Sequence, residues 1–175
     1  MELTFEPGGP GDLDELEALY DAVNDHLAQG VNYPGWTKGA YPARRTAADG
    51  IAEHSLYVAR QGGRIVATAI LSHEPEPAYR AVKWQVDCGD EEVFVIYTLA
   101  VHPDALCRGT GTALVERILA FCREKGARAV RLGVTQGNKP AIALYKKCGF
   151  RYIDTVDLGL GAYGLAWFDL YERVL

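Results

Sequence analysis

The spacing of apolar residues changes along the chain and predicts where its helices and strands lie. Between Leu13 and Leu27, apolar residues recur every three or four positions, a pattern typical of one face of an α-helix. This first helix is expected to run from Leu13 to about residue 29 and to end at Gly30. Asp12 and Glu15 stand where a capping box would begin it, with each side chain accepting a backbone N–H of the first turn.

A continuous apolar run over 93–101 predicts the most strongly marked strand of the chain. The run is rich in β-branched residues and carries no charge. Such a strand is expected to be central and buried on both faces. His102-Pro103 ends it, because proline cannot donate to a sheet ladder.

Shorter patterns predict the remaining elements. Gln61-Gly62-Gly63 separates two β-rich segments and predicts a hairpin. The element order β-α-α-β-β-β-α-β-α-β-β predicts an α/β fold with one mixed sheet of about seven strands and about four helices, in a single domain over residues 1–175. The other expected elements are strands over 2–6, 56–60, 64–71, 129–135, 150–157 and 165–171, and helices over 43–53, 111–125 and 138–147.

Composition and charge narrow the classes of function. The chain has 175 residues, of which 49% are hydrophobic, and a formal net charge of −5. This acidic balance argues against sequence-independent nucleic-acid binding, which requires a basic surface. The sequence also lacks an apolar run of transmembrane length and the features of a secretory signal. We therefore expect neither a nucleic-acid partner nor a membrane partner.

The cysteines indicate neither a disulfide framework nor a metal site. No two of them form a Cys-x-x-Cys pair, and no histidine lies at ligand spacing from any of them. They are expected to be free thiols in a reducing cytoplasm, and no metal is expected. The four are Cys88, Cys107, Cys122 and Cys148.

A glycine-rich turn is expected between the strand over 93–101 and the helix that follows it. Its sequence is Cys107-Arg108-Gly109-Thr110-Gly111-Thr112. The N–H groups at a helix start point in one direction, and the helix dipole adds partial positive charge there, so such a turn can bind phosphate. A dinucleotide fingerprint would need glycine where Leu114 stands, and the Gly-Lys-Ser/Thr of a P-loop is absent. A plain strand-to-helix turn is the structural alternative.

A second segment of interest begins at Asn138 and ends at Phe150. Asn138 suits the start of a helix and Gly149 suits its end. Tyr145 falls on the same helical face as Ala141. By residue type alone, Tyr145 is most readily explained as a core tyrosine.

Together these segments resemble the acetyl-CoA core of the GCN5-related N-acetyltransferase (GNAT) superfamily. The matching order of elements extends over residues 2–172, and the resemblance is closest to small bacterial members with a Tyr-Pro-bearing loop after the first helix. The family's turn usually begins with glutamine or arginine and often has glycine next, where this chain has Leu106 and Cys107. The segments that carry the resemblance are Leu99-Ala100-Val101-His102-Pro103, Arg108-Gly109-Thr110-Gly111 and Asn138…Ala141…Leu144-Tyr145…Gly149-Phe150.

The resemblance implies acetyl transfer from acetyl-CoA to an amine of a small molecule or peptide. The amides of residues 107–112 would hold the pyrophosphate. The pantetheine would pair with the strand backbone around Leu99, Ala100 and Val101, where family members carry a β-bulge. Asn138, with Ala141 beside it, would hold the pantetheine arm. Tyr145 would protonate the departing thiolate.

The general base and the acceptor site are less defined by the sequence. Tyr97 lies where related transferases often place a base, but an unperturbed tyrosine has a pKa near 10, which makes it a poor one. Tyr97 is therefore a candidate substrate contact or link to water, and Glu91 and Glu92 are alternatives that would act through water. The aromatic residues of the loop over 30–43 are candidates for the acceptor pocket or for ordinary packing onto the core. They are Tyr33, Trp36 and Tyr41.

Two other functions remain open at the level of sequence. A non-catalytic acyl-CoA-binding or regulatory domain would keep the same fold without turnover, and Leu106 favours this alternative slightly. The other alternative is a transferase that uses a longer acyl chain than acetyl. A homodimer is also possible, and the segment Trp167–Tyr171 is either a contact between subunits or an ordinary inner strand.

Overall fold

Seven strands and four helices form in the order that the hydrophobic pattern predicts. They are seen in a computed structural model, which describes residues 2–175. The strands are β1 (Thr4–Pro7), β2 (Leu56–Gln61), β3 (Arg64–Ser72), β4 (Val93–Val101), β5 (Ala129–Thr135), β6 (Arg151–Val156) and β7 (Phe168–Val174). The helices are α1 (Leu13–Gln29), α2 (Arg44–Ala52), α3 (Thr110–Glu124) and α4 (Lys139–Lys147).

The sheet is mixed, which confirms the predicted fold class. Its strand order is β1-β2-β3-β4-β5-β7-β6. β4 pairs parallel to β5, whereas the β1–β2, β2–β3, β5–β7 and β6–β7 pairs are antiparallel. Within residues 2–175, no helix has both the length and the apolar character needed to cross a bilayer.

The chain divides into two compact units, which we describe separately. The first contains residues up to Asn32, Trp36–Leu71 and Tyr97–Leu114. Its core forms where the apolar face of α1 packs on the strands of the hairpin. Leu16, Tyr20 and Val58 have no exposed surface there. The single domain expected over residues 1–175 therefore stays a prediction.

The second unit contains Tyr33–Gly35, Ser72–Ile96 and Val115–Leu175. In it, β7 lies between β5 and β6. The segment Trp167–Tyr171 therefore contributes to an ordinary inner strand and not to a free edge.

The predicted boundaries of this last strand are wrong by three residues. A short 3-10 turn over Gly161–Tyr163 and the left-handed Gly164, with φ of 77°, delay the start of β7 to Phe168. The strand then continues past Tyr171 to Val174. The apolar pattern stops at Tyr171 because the next residue is Glu172, yet Glu172 is fully buried.

The predicted capping box of α1 is also wrong. A 3-10 turn over Pro10–Asp12 precedes the helix, so Asp12 already has helical backbone angles and its side chain makes no cap bond to α1. Its carboxylate instead accepts the Gly9 N–H at 2.9 Å. The Glu15 carboxylate accepts the Ile65 N–H at 2.7 Å and thereby joins α1 to β3.

A buried ion pair organises the sheet of the second unit. The Arg131 Nε atom donates to the Glu172 carboxylate at 2.7 Å, and the Gln85 N–H donates to its other oxygen at 2.7 Å. The Arg131 guanidinium also donates to the Val86 carbonyl at 2.6 Å and lies over the Trp84 ring at 4.4 Å. These bonds fasten the irregular segment before β4 to β5 and β7.

We predict that Glu172→Ala destabilises the protein strongly, because it leaves the Arg131 charge and the Gln85 N–H buried without their partner. The expected loss is about 3–5 kcal/mol in the free energy of unfolding, measured by urea denaturation. The matched control is Asp90→Ala, which removes the exposed bidentate pair of Arg80 and Asp90. That loss should be about 1 kcal/mol or less. Equal losses for the two variants would contradict the stabilising role of the buried pair.

Candidate active site

A left-handed residue interrupts the regular backbone of β4 in the first unit. Thr98 has a φ of 47° and is only 9% exposed. A β-branched residue rarely adopts this conformation, and the strain is about 1–3 kcal/mol. Such an irregularity turns the next peptide group away from the regular ladder. The residues that follow it in the strand are Leu99, Ala100 and Val101, the predicted cofactor-pairing segment.

The turn after β4 has the backbone geometry of an anion site. Cys107 and Gly109 have positive φ values, 58° and 80°, and α3 begins directly afterwards at Thr110. The Ala113 N–H donates to the Gly109 carbonyl at 2.9 Å, which is the first hydrogen bond of the helix. The amides of Thr110, Gly111 and Thr112 lie ahead of that bond, where a helix offers no acceptor within itself.

The space above this turn is open. A β-carbon at Gly109 would meet no atom of the described part of the chain within 4 Å. Arg108 and Cys107 are exposed beside it. Leu106, the departure from the family pattern, is 38% exposed and has an apolar side chain that cannot bond a phosphate. The backbone donors of the turn fit an anionic group. The departure at Leu106 removes one side-chain contact and leaves these backbone donors in place.

The structure brings Trp36 and Tyr41 together in the first unit. The Asn32 side chain accepts the Trp36 N–H at 3.1 Å and donates to the Trp36 carbonyl at 2.8 Å. The Trp36 ring meets the Tyr41 ring edge-on, with 6.1 Å between centroids. Tyr33 belongs to the second unit, where its carbonyl accepts the Thr135 hydroxyl at 3.1 Å.

Two further contacts of this loop could not be predicted from the sequence. The Tyr41 hydroxyl forms a hydrogen bond with the Thr98 hydroxyl. The Asn24 amide donates to the Pro42 carbonyl at 3.2 Å. Both contacts join residues far apart in the chain, so no local pattern indicates them.

Two buried polar atoms on α1 were also not predicted as site features. Among residues 2–175, neither the Tyr20 hydroxyl nor the Asn24 side-chain oxygen has a partner within hydrogen-bond distance. Burial raises the pKa of Tyr20, and the nearby Tyr41 raises it further. The signal in the sequence was the position of Asn24, a polar residue one turn after Tyr20 on the apolar face of α1.

The second unit holds the predicted residues of α4. The Asn138 side-chain oxygen accepts the Ala141 N–H at 3.3 Å and caps the helix, as predicted. Tyr145 is 7% exposed, and its ring meets Phe150 edge-on at 5.6 Å. Burial, with a smaller effect of Cys148, raises the pKa of Tyr145. The buried phenol therefore ionises less readily than that of a free tyrosine.

The candidate bases have different surroundings. Tyr97 is half-buried in β4. The Glu92 carboxylate accepts the Gly89 N–H at 3.0 Å and lies 3.8 Å from the Arg128 guanidinium. Glu92 thus has a structural role in the turn before β4. Glu91 is exposed and its carboxylate lies beside Gly89.

Comparison with known proteins agrees with this arrangement of strand, turn and helix. A sequence profile of the Acetyltransferase (GNAT) family matches residues 17–150. A mycothiol acetyltransferase of Acidothermus cellulolyticus is 32% identical over 152 residues, which are 87% of this chain and 45% of that protein. The chain therefore belongs to the GNAT acetyltransferase family. It spans less than half the length of the curated relatives that it matches.

Solved structures show the same fold. A GNAT-family acetyltransferase from Streptococcus agalactiae superposes with a TM-score of 0.84 at 17% identity, covering 99% of this chain and 95% of that one. The yncA putative acetyltransferase from Salmonella typhimurium, determined with its cofactor acetyl-CoA, has a TM-score of 0.66 at 16% identity, with 99% and 94% covered.

We predict that Cys107 is the first cysteine to react with iodoacetamide at pH 8 and Cys122 the last. Cys107 is exposed on the turn. Cys122 is fully buried, and burial raises its pKa to about 12, so its thiolate fraction is very small at this pH. Mass spectrometry of timed samples should show a difference in rate of at least about a hundredfold. Comparable rates would mean that α3 does not keep Cys122 inside the core.

Proposed function

We propose that this protein is an N-acetyltransferase that uses acetyl-CoA as co-substrate and a primary amine of a small molecule or peptide as acceptor. The observation that carries the proposal is the turn over residues 107–112. Its left-handed residues, open face and helix start together offer a backbone anion site in the connection that follows an irregular central strand. Membership of the GNAT family supports the choice of acetyl-CoA as the ligand.

Each element has a defined role in this proposal. The amides of Cys107–Thr112 bind the pyrophosphate, with the dipole of α3 adding favourable charge. Arg108 adds a positive side chain, while Leu106 contributes nothing polar. The backbone of Leu99 and Val101 pairs with the pantetheine as an added strand would. Because these contacts are mostly from the main chain, they tolerate the unusual side chains of this turn.

Acetyl-CoA supplies a thioester, whose carbonyl is the electrophile for the amine. The Leu99 amide, which follows the left-handed Thr98, donates a hydrogen bond to the oxygen that gains negative charge. The Tyr145 phenol donates its proton to the departing thiolate. Asn138 positions the pantetheine arm near the start of α4, beside Ala141.

The acceptor is proposed to bind under the loop over residues 30–43. Trp36 and Tyr41 offer aromatic surface there, and Tyr33 comes from the same loop. Tyr97 is proposed to contact the acceptor or a water molecule that takes up its proton. An aromatic surface suits a largely apolar or cationic amine, since aromatic faces attract cations.

Calorimetric titration with acetyl-CoA tests the binding part of the proposal. We expect micromolar affinity for the wild type and at least about tenfold weaker binding for Gly109→Ala, because a β-carbon keeps the phosphate away from the amides. Gly63→Ala is the matched control. Gly63 has a φ of 79° and equally open surroundings, but it lies in the hairpin turn.

Two results would contradict this proposal. Absence of binding at millimolar acetyl-CoA would exclude the cofactor role of the turn. Binding of acetyl-CoA without release of CoA in the presence of any amine would instead support the non-catalytic binding domain.

We predict that Tyr145→Phe lowers kcat by about tenfold or more with little change in acetyl-CoA affinity, because it removes the proton donor and keeps the packed ring. Release of CoA thiol, followed with a chromogenic disulfide at saturating substrates, measures the effect. Tyr171→Phe is the control, since Tyr171 is another buried tyrosine, 3% exposed, in β7. Unchanged turnover in Tyr145→Phe would remove Tyr145 from the mechanism.

A further inference from the structure

The hydrogen bond between Tyr41 and Thr98 joins a loop to the residue of β4 that has a left-handed backbone. The two residues are 57 positions apart in the chain, and both belong to the first unit. We call this pair of hydroxyls the latch. Thr98 is the only non-glycine residue of a strand, among residues 2–175, that has a positive φ. The latch therefore includes the residue of β4 whose backbone conformation is strained, Thr98.

A strained residue keeps its conformation only when its surroundings determine it. Thr98 is β-branched, so nothing in its own side chain favours a left-handed backbone. Its hydroxyl gains a fixed partner in Tyr41. That bond is available only while the Thr98 side chain points toward the loop.

The loop holds Tyr41 in place from several directions. The Trp36 ring packs edge-on against the Tyr41 ring. Trp36 is itself held by two hydrogen bonds to Asn32. On the other side, the Asn24 amide of α1 donates to the carbonyl of Pro42, the next residue after Tyr41. Tyr41 is thus anchored by its neighbours, although 44% of its surface is exposed.

We propose that Tyr41 is a positioning residue that acts through Thr98. Its hydroxyl holds Thr98 in the left-handed region and so fixes the direction of the Leu99 amide. This inference rests on the proposed function, in which that amide polarises the thioester carbonyl. It differs from the expectation that Tyr41 simply lines the acceptor pocket, because the hydroxyl is directed at the protein itself.

A double-mutant experiment separates these two roles. Glycine adopts positive φ without strain, so Thr98→Gly should keep the kink and make the latch unnecessary. We expect Tyr41→Phe to lower kcat by about tenfold or more in the wild-type background. In the Thr98→Gly background, Tyr41→Phe should lower kcat by less than about threefold. The KM for the acceptor should stay unchanged in both backgrounds. An equal loss in both backgrounds, or a loss expressed in KM, would show that Tyr41 contacts the substrate and would overturn the proposal.

The chain provides a matched control for removing a tyrosine hydroxyl. The Tyr152 hydroxyl bonds the Thr155 hydroxyl at 2.7 Å on the exposed strand β6, where Thr155 has an ordinary negative φ. Tyr152→Phe removes the same kind of bond and should leave kcat unchanged.

If Thr98→Gly proves too flexible to be active, Thr98→Asn replaces it under the same criterion, because asparagine also tolerates the left-handed region.

A measurement without turnover distinguishes failure of this inference from failure of the proposed function. In ¹H–¹⁵N spectra, Tyr41→Phe should shift or broaden the amide signals of Thr98 and Leu99, and Tyr152→Phe should not. Unchanged signals for Thr98 and Leu99 would overturn the latch whatever the activity of the protein. If the signals change as expected and no amine is acetylated, the proposed function fails while the structural coupling stands.

Discussion

The left-handed backbone of Thr98 is the constraint on which the candidate chemistry depends. A central strand with regular pairing on both sides has no free backbone group for a substrate. An irregular residue releases one, but a β-branched residue adopts that conformation only at a cost of about 1–3 kcal/mol. Tyr41 bonds Thr98 and packs against Trp36, and Asn24 bonds the carbonyl of Pro42, the residue after Tyr41. The loop over residues 30–43 is thereby tied to the strand in which the irregularity lies.

In the proposed cofactor site, the turn after β4 would bind its ligand through backbone groups and not through side chains. Leu106 departs from the family pattern, and Cys107 stands where glycine is frequent. Cys107 nevertheless adopts a φ of 58°, close to what a glycine would supply. The helix start and Gly109 preserve the donors, which belong to the main chain and do not depend on the identity of these two residues.

The second unit depends on a buried charge pair that no hydrophobic pattern reveals. Arg131 and Glu172 lie on neighbouring strands at opposed positions. Their bonds to Gln85 and Val86 also order a segment that has little regular structure of its own. The pairing explains why β7 continues beyond the last run of apolar residues. An alternating apolar pattern cannot anticipate a carboxylate whose partner comes from another strand.

The sequence by itself determined the order of elements, the bounds of β4 and β5, the caps of α4 and the glycine-rich turn. These features are local, because hydrophobic periodicity, capping residues and glycines act within a few positions. Only the tertiary structure decided the conformation of Thr98, its contact with Tyr41, the burial of Glu172 and the true partners of Asp12 and Glu15. Each of these depends on a residue distant in the chain, and such a partner leaves no trace in local spacing.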